Sequence, residues 1–297
     1  SNAIPFNNLT INSTSVYNLS SNLVVNNTLN ITSGTLDVSA SNRSVSVGNQ
    51  WLNSGTFNPR AGTVTFTKST AGTANINNNA SNFHNLVISG GASTTFALLS
   101  NSMRVNGNFT LTTSTFNLNG LNLVMGDGTG SDIFNINGTV NVNANAQIRM
   151  GSAATIQVQS GGSILVVGTD ASNVATVTRN TTGTYSFLVS GGATIQARYY
   201  RFEYMNANGI QIQSGAIIHA TNNFSDGTFS NGTAGGRYLE ILSMTTNRTV
   251  SNVVFNSGPT NNVRGTSGTG NYITFQDASG LLAGPTYEVD DNVASTG

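Results

Sequence analysis

The chain has 297 residues, with 11 Lys+Arg against 11 Asp+Glu, two His, one Trp and no Cys, and only 7% of it is charged, where an ordinary soluble domain carries roughly a quarter. This composition excludes disulfides and thiolate metal sites, and a formally neutral chain with apolar residues throughout does not fit charge-driven disorder. With a single lysine, Lys68, it offers no basic patch for nucleic-acid phosphates, so no nucleic-acid partner is expected.

The longest apolar run, Ile164-Leu165-Val166-Val167, is strand-sized and far short of the roughly 18 residues of a transmembrane helix. Asparagine fills 44 positions. Ser1-Asn2-Ala3 reads as the remnant of a cleaved expression tag, which leaves 4–297 as one domain, expected to be a fragment of a larger protein.

Period-two alternation runs along the whole chain and predicts short strands. Leu9-Thr10-Ile11, Leu29-Asn30-Ile31, Leu36-Asp37-Val38 and Val64-Thr65-Phe66 come first. Phe116-Asn117-Leu118, Val140-Asn141-Val142 and Ile210-Gln211-Ile212 follow. Gly, Asn and Ser clusters separate the runs and act as turns, and no window shows the helical spacing i, i+3, i+4, i+7. The fold class is all-β.

Two phrases recur. Gly-Thr-apolar-polar begins at Gly34, Gly55, Gly62, Gly138, Gly183 and Gly227, and Ser-Gly-small begins at Ser89, Ser160, Ser190 and Ser214. A longer echo aligns 25–38 with 105–118, apolar on apolar, and 6–11 aligns with 83–88. Short strands in repeats of 20–30 residues predict a right-handed parallel β-helix. At about 22 residues per turn and 4.8 Å of rise, this would be roughly a dozen turns and a rod on the order of 60 Å long. Asparagine would serve at corners and in stacked amide ladders. The competing fold is a set of antiparallel sandwiches with hairpins at the Asn-Gly pairs of Asn106, Asn119, Asn137, Asn208 and Asn231.

The phrase Trp51-Leu-Asn-Ser-Gly-Thr-Phe-Asn-Pro-Arg-Ala-Gly-Thr-Val-Thr-Phe66 resembles a recurring signature of large bacterial surface proteins with right-handed, pectin-lyase-like parallel β-helix regions. The stretches 202–212 and 223–232 resemble later segments of the same proteins. The resemblance implies a β-helix fold and a secreted or cell-surface, adhesin-like setting. It carries no catalytic residue.

Candidate chemistry is sparse. A polysaccharide hydrolase or lyase needs converging carboxylates, or a carboxylate with an arginine, and Asp37, Asp127, Asp132, Asp170, Asp226 and Asp277 lie far apart in the chain. In the charge-dense segment 198–204, alternation places Arg198, Tyr200, Phe202 and Tyr204 on one face and Tyr199, Arg201 and Glu203 on the other. The second trio is the ligand-binding candidate, since an aromatic ring, an arginine and a carboxylate together suit a sugar. Glu288, Asp290 and Asp291 are the weak calcium candidates. Gly126–Gly130 reads as a turn, and the two histidines as turn or surface residues. An ice-binding face would need one threonine column in successive turns, and pairs such as Thr63/Thr65 and Thr176/Thr178 are too sporadic to predict it.

The sequence therefore predicts a non-enzymatic structural or adhesive module, extracellular or at the cell surface, needing no cofactor. Its expected partners are surface glycans or other matrix components. A carbohydrate-active enzyme and an ice-binding protein are the alternatives.

Overall fold

The computed structural model describes residues 5–244, 246–265 and 271–290. Alternating runs of three to five residues become strands because each presents one apolar face for burial and one polar face to water. The strands coil into a parallel β-solenoid rather than closing as hairpins: every pair of strands in the described residues is parallel. Sheet 1 has 12 strands, from Leu23–Val25 to Glu288–Asp290. Sheet 2 has 11, from Leu9–Asn18 to Ile217–Asn223, and sheet 3 has seven, from Met103–Val105 to Val254–Phe255. A two-stranded sheet, Arg248–Ser251 with Ile273–Gln276, lies towards the C-terminal end.

Twelve strands in sheet 1 make 11 turns. The register runs from Leu23 to Glu288, or about 24 residues per turn, against the 22 expected. The excess comes mainly from two long turns, Ile156 to Phe187 and Ile210 to Leu239. At about 4.8 Å per turn the stack is about 53 Å long.

Inward positions form one continuous core. Aromatic rings stack inside it as the turns stack. Phe109 lies over Phe134 at 4.5 Å, and Phe202, Phe229 and Phe255 form a column with centroids 5.6 and 5.4 Å apart. The signature 51–66 is a core device of the early turns. Trp51 is fully buried among Phe57, Phe66 and Phe83, and its indole N–H donates to Asn78 Oδ1 at 2.9 Å. Leu29–Asp37 is bent here, pairing with Trp51–Asn53 along its first half and with Thr56–Asn58 along its second.

Asparagine acts in both expected ways. Asn8, Asn27 and Asn49 form an amide ladder, each step 2.9 Å. At corners, Asn42, Asn79, Asn119, Asn145, Asn231 and Asn252 adopt left-handed backbone angles, which asparagine tolerates better than most residues.

Candidate functional site

In-register parallel pairing lines up the outward side chains of successive turns in columns at the strand spacing. On sheet 3, one column holds Arg104, Val124 and Arg149, followed by Thr178. It continues through Glu203, which pairs with Ser230. The neighbouring column holds Asn122, Gln147, Thr176, Arg201 and Thr228. The composition predicted no basic patch, yet the coil brings Arg104, Arg149 and Arg201 onto this outer face, while Arg179, in register with the buried Met150, ends its strand against the Tyr204 ring. That expectation is corrected: a neutral total conceals a local excess, because register rather than sequence proximity decides which charges are neighbours.

Arg104 Nε donates to Asn106 Oδ1 at 2.9 Å, and its Nη2 donates to the Gly126 carbonyl at 3.1 Å. Arg149 Nε donates to Gln147 Oε1 at 2.8 Å. The Arg179 guanidinium sits 3.7 Å from the centroid of the Tyr204 ring. Among the described residues, no carboxylate lies within 4.0 Å of the basic groups of Arg104, Arg149 or Arg179. Arg201 approaches Glu203 at 3.7 Å, and that carboxylate also accepts hydrogen bonds from the hydroxyls of Thr178 (3.0 Å) and Ser230 (3.3 Å).

The structure divides the predicted trio. Arg201 and Glu203 do share the outer face of sheet 3. Tyr199 occupies the corner between the strand Thr194–Arg198 of sheet 2 and the strand Tyr200–Glu203 of sheet 3, at φ 49°, with its ring 5.1 Å from the Arg198 guanidinium. The corner resets the alternation. Arg198 therefore turns outward and pairs with Asp226 of the next turn at 2.9 Å, instead of sharing the buried face of Tyr200 and Phe202. Tyr204, at φ 59°, likewise leaves that face and lies against Arg179. The aromatic beside the cationic flank is Tyr204 rather than Tyr199. Single outward arginines in alternating strands were the only sequence signal for the rest of the flank.

Carboxylates and arginines converge on adjacent turns as closed ion pairs. Asp37 receives Arg60 at two oxygens, 2.6 and 2.8 Å, together with Asn58 and the Ser39 amide. The guanidinium of Arg60, above all, holds the Asp37 carboxyl below the usual carboxylate range. Glu240 lies between Arg237 and Arg264. Asp127 and Asp132 share a single loop. Burial, and then the charge of Asp127, push the Asp132 carboxyl up, while the hydroxyl and amide of Thr129 hold the Asp127 carboxyl down. His219 lies within the strand Ile217–Asn223 rather than in a turn, and its Nδ1 accepts the backbone N–H groups of Thr221 and Asn222. Of the calcium candidates, Glu288 lines an apolar recess of about 150 Å³ with Met244, Val263 and Phe275, and burial raises its carboxyl pKa. Asp290 ends the last strand, and Asp291 lies outside the described residues.

One expectation about threonine is overturned. Thr73, Thr95, Thr115, Thr139, Ser163 and Thr194 occupy a single outward column on six successive strands of sheet 2. The next outward column holds Asn75, Ala97, Asn117, Asn141, Leu165 and Gln196, and neither carries a charge. Unequal turn lengths hide this column in the sequence, where no fixed period connects its members.

Comparison with known proteins adds no name to this geometry: no family model, no curated protein and no solved structure matches the chain.

Proposed function

We propose that this chain is a stiff structural and adhesive segment of a secreted or cell-surface bacterial protein of adhesin-like kind, coiled right-handedly like the β-helix regions it resembles. Its adhesive role is weak binding of glycans. The observation that carries this reading is the outer face of sheet 3, where arginine, amide and hydroxyl groups stand on strands anchored by a continuous core. Such a face is preorganised, so little side-chain order is lost on binding, and its shallow polar contacts suit sugar hydroxyls. Screening the protein at high concentration on a glycan array tests the reading. Binding to a defined set of glycans supports adhesion, and a uniformly blank array leaves only the structural role.

A second reading, ice binding, has the threonine column in its favour. Hydroxyl and methyl groups repeated at the strand spacing in two uncharged columns suit an ordered water lattice. An ice-recrystallisation assay tests it, with Thr115→Tyr and Thr139→Tyr breaking the face. Inhibition by the parent chain that the variants lack supports this reading, and recrystallisation at the rate of the buffer alone removes it.

A further inference from the structure

We propose that Asn137 is a site of spontaneous covalent modification, converted in the folded chain to aspartate and isoaspartate ahead of the other Asn-Gly pairs. The reaction needs only water. The backbone nitrogen of the following residue attacks the asparagine Cγ, and the new N–Cγ bond closes a cyclic imide. The Cγ–Nδ2 bond breaks as ammonia leaves, carrying the proton of the backbone amide. Water then opens either carbonyl of the imide. Opening at Cγ gives aspartate, and opening at the backbone carbonyl gives isoaspartate, in which the main chain runs through Cβ. No group is oxidised or reduced. A following glycine favours the attack because it has no Cβ to crowd the nitrogen. The attacking N–H and the side-chain amide must also be free of hydrogen bonds that hold them elsewhere.

Four of the five Asn-Gly pairs are held. The Gly107 N–H donates to the His84 carbonyl at 2.8 Å, and Asn106 Oδ1 accepts from Arg104. Asn119 Nδ2 donates to the Leu98 carbonyl at 2.8 Å. Gly209 is buried within the strand Met205–Ile212, and Asn208 Oδ1 accepts from Arg237 at 3.2 Å. Gly232 and Asn231 have the longest contacts, to the Tyr238 hydroxyl at 3.4 Å and the Ser230 hydroxyl at 3.5 Å, so Asn231 ranks second.

Asn137 differs. It lies between the strands Ile133–Ile136 of sheet 1 and Thr139–Val142 of sheet 2. Its side chain is exposed and has no hydrogen-bond partner among the described residues, and the Gly138 N–H donates to none of them. The corner cannot dispense with its glycine, because a Cβ on Gly138 would lie 2.3 Å from the Ser114 carbonyl oxygen. Close stacking therefore keeps glycine where the neighbouring asparagine is chemically open. Conversion writes a carboxylate onto a corner of a nearly uncharged coil, and isoaspartate lengthens the main chain between two strands.

The test is ageing of the whole folded chain in mildly alkaline buffer made with heavy-oxygen water, followed by peptide mapping with mass spectrometry. Enzymatic methylation of isoaspartyl carboxylates identifies the second product. Labelled acid is expected first in the peptide holding Asn137, next at Asn231, and later at the other three pairs. Asn137→Gln loses the leading product and leaves the order of the rest unchanged, since glutamine would have to close a larger ring. Circular dichroism confirms that this variant is folded. The same chain aged in guanidinium is the reference, where the five pairs are expected to convert at similar rates. Conversion of any other pair before Asn137 in the folded chain overturns the proposal. So does a lead for Asn137 that is equally large in the unfolded chain, because the fold would then play no part in it.

Discussion

Replacing Gly227 with alanine tests why glycine opens this copy of the Gly-Thr phrase. Gly227 does not have a left-handed φ, so backbone freedom is not the reason. A Cβ at this position would lie 2.1 Å from Cε1 and 2.4 Å from Cδ1 of Tyr200, whereas carbon atoms in contact keep about 3.5–4.0 Å. The Tyr200 ring would have to retreat by more than 1 Å. It is fully buried, packed at 4.9 Å on Phe202 and 5.3 Å on Phe229, and its hydroxyl donates to the Phe224 carbonyl at 2.9 Å.

Overpacking costs about 1–3 kcal/mol, and stranding the buried hydroxyl adds about 1–3 kcal/mol. Gly227→Ala is therefore expected to destabilise by about 3–5 kcal/mol. Urea unfolding followed by far-ultraviolet circular dichroism measures this. Trp51 fluorescence does not, because a stacked coil transmits local damage mainly to neighbouring turns and Trp51 lies many turns away. In a Tyr200→Leu background the alanine should cost at least 1 kcal/mol less, a coupling expected of groups in contact. The steric reasoning is refuted if Gly227→Ala stays within about 0.5 kcal/mol of the parent or costs the same in both backgrounds.

Three further outcomes follow from buried polar groups. Asn78→Ala leaves the Trp51 indole N–H without its acceptor and is expected to cost about 2–3 kcal/mol by chemical denaturation, with a shifted Trp51 emission. Asp37, whose carboxyl is lowered chiefly by Arg60, contributes stability above the unfolded carboxylate pKa and loses it as the pH falls through the lower folded value. Asp37→Asn should therefore cost about 1 kcal/mol at pH 6, with the gap to the parent closing in melts below pH 4. Burial pushes Tyr238 up to about 12 and raises Tyr185 and Tyr200 well above the ordinary value. Three of the eight tyrosines should thus resist ionisation in an absorbance titration until the coil opens, and stability should fall as the pH rises from about 10 towards 12.

Local pattern decided the class of fold. Alternation set which side of each strand is buried, and in the aligned segments 25–38 and 105–118 every apolar position is buried in both copies. Strand and corner are short-range properties, governed by side-chain period and turn chemistry, so a reading of neighbouring residues reaches them. The same echo shows where that reach ends. Leu29 and Ile31 belong to sheet 2, whereas their counterparts Phe109 and Leu111 belong to sheet 1. A repeated arch is not a repeated turn when turns range from 19 residues, Val45 to Val64, to 31, Ile156 to Phe187.

Register accumulates these unequal lengths, and only the assembled coil sums them. It placed the threonines in one column and the arginines on one flank, turned Arg198 outward at the Tyr199 corner, and set Tyr204 against Arg179. The sequence by itself determined that this chain coils around an apolar core with few charges. Which of those few charges meet was decided by stacking, because side chains one turn apart are separated by one strand spacing in space and by a variable distance along the chain.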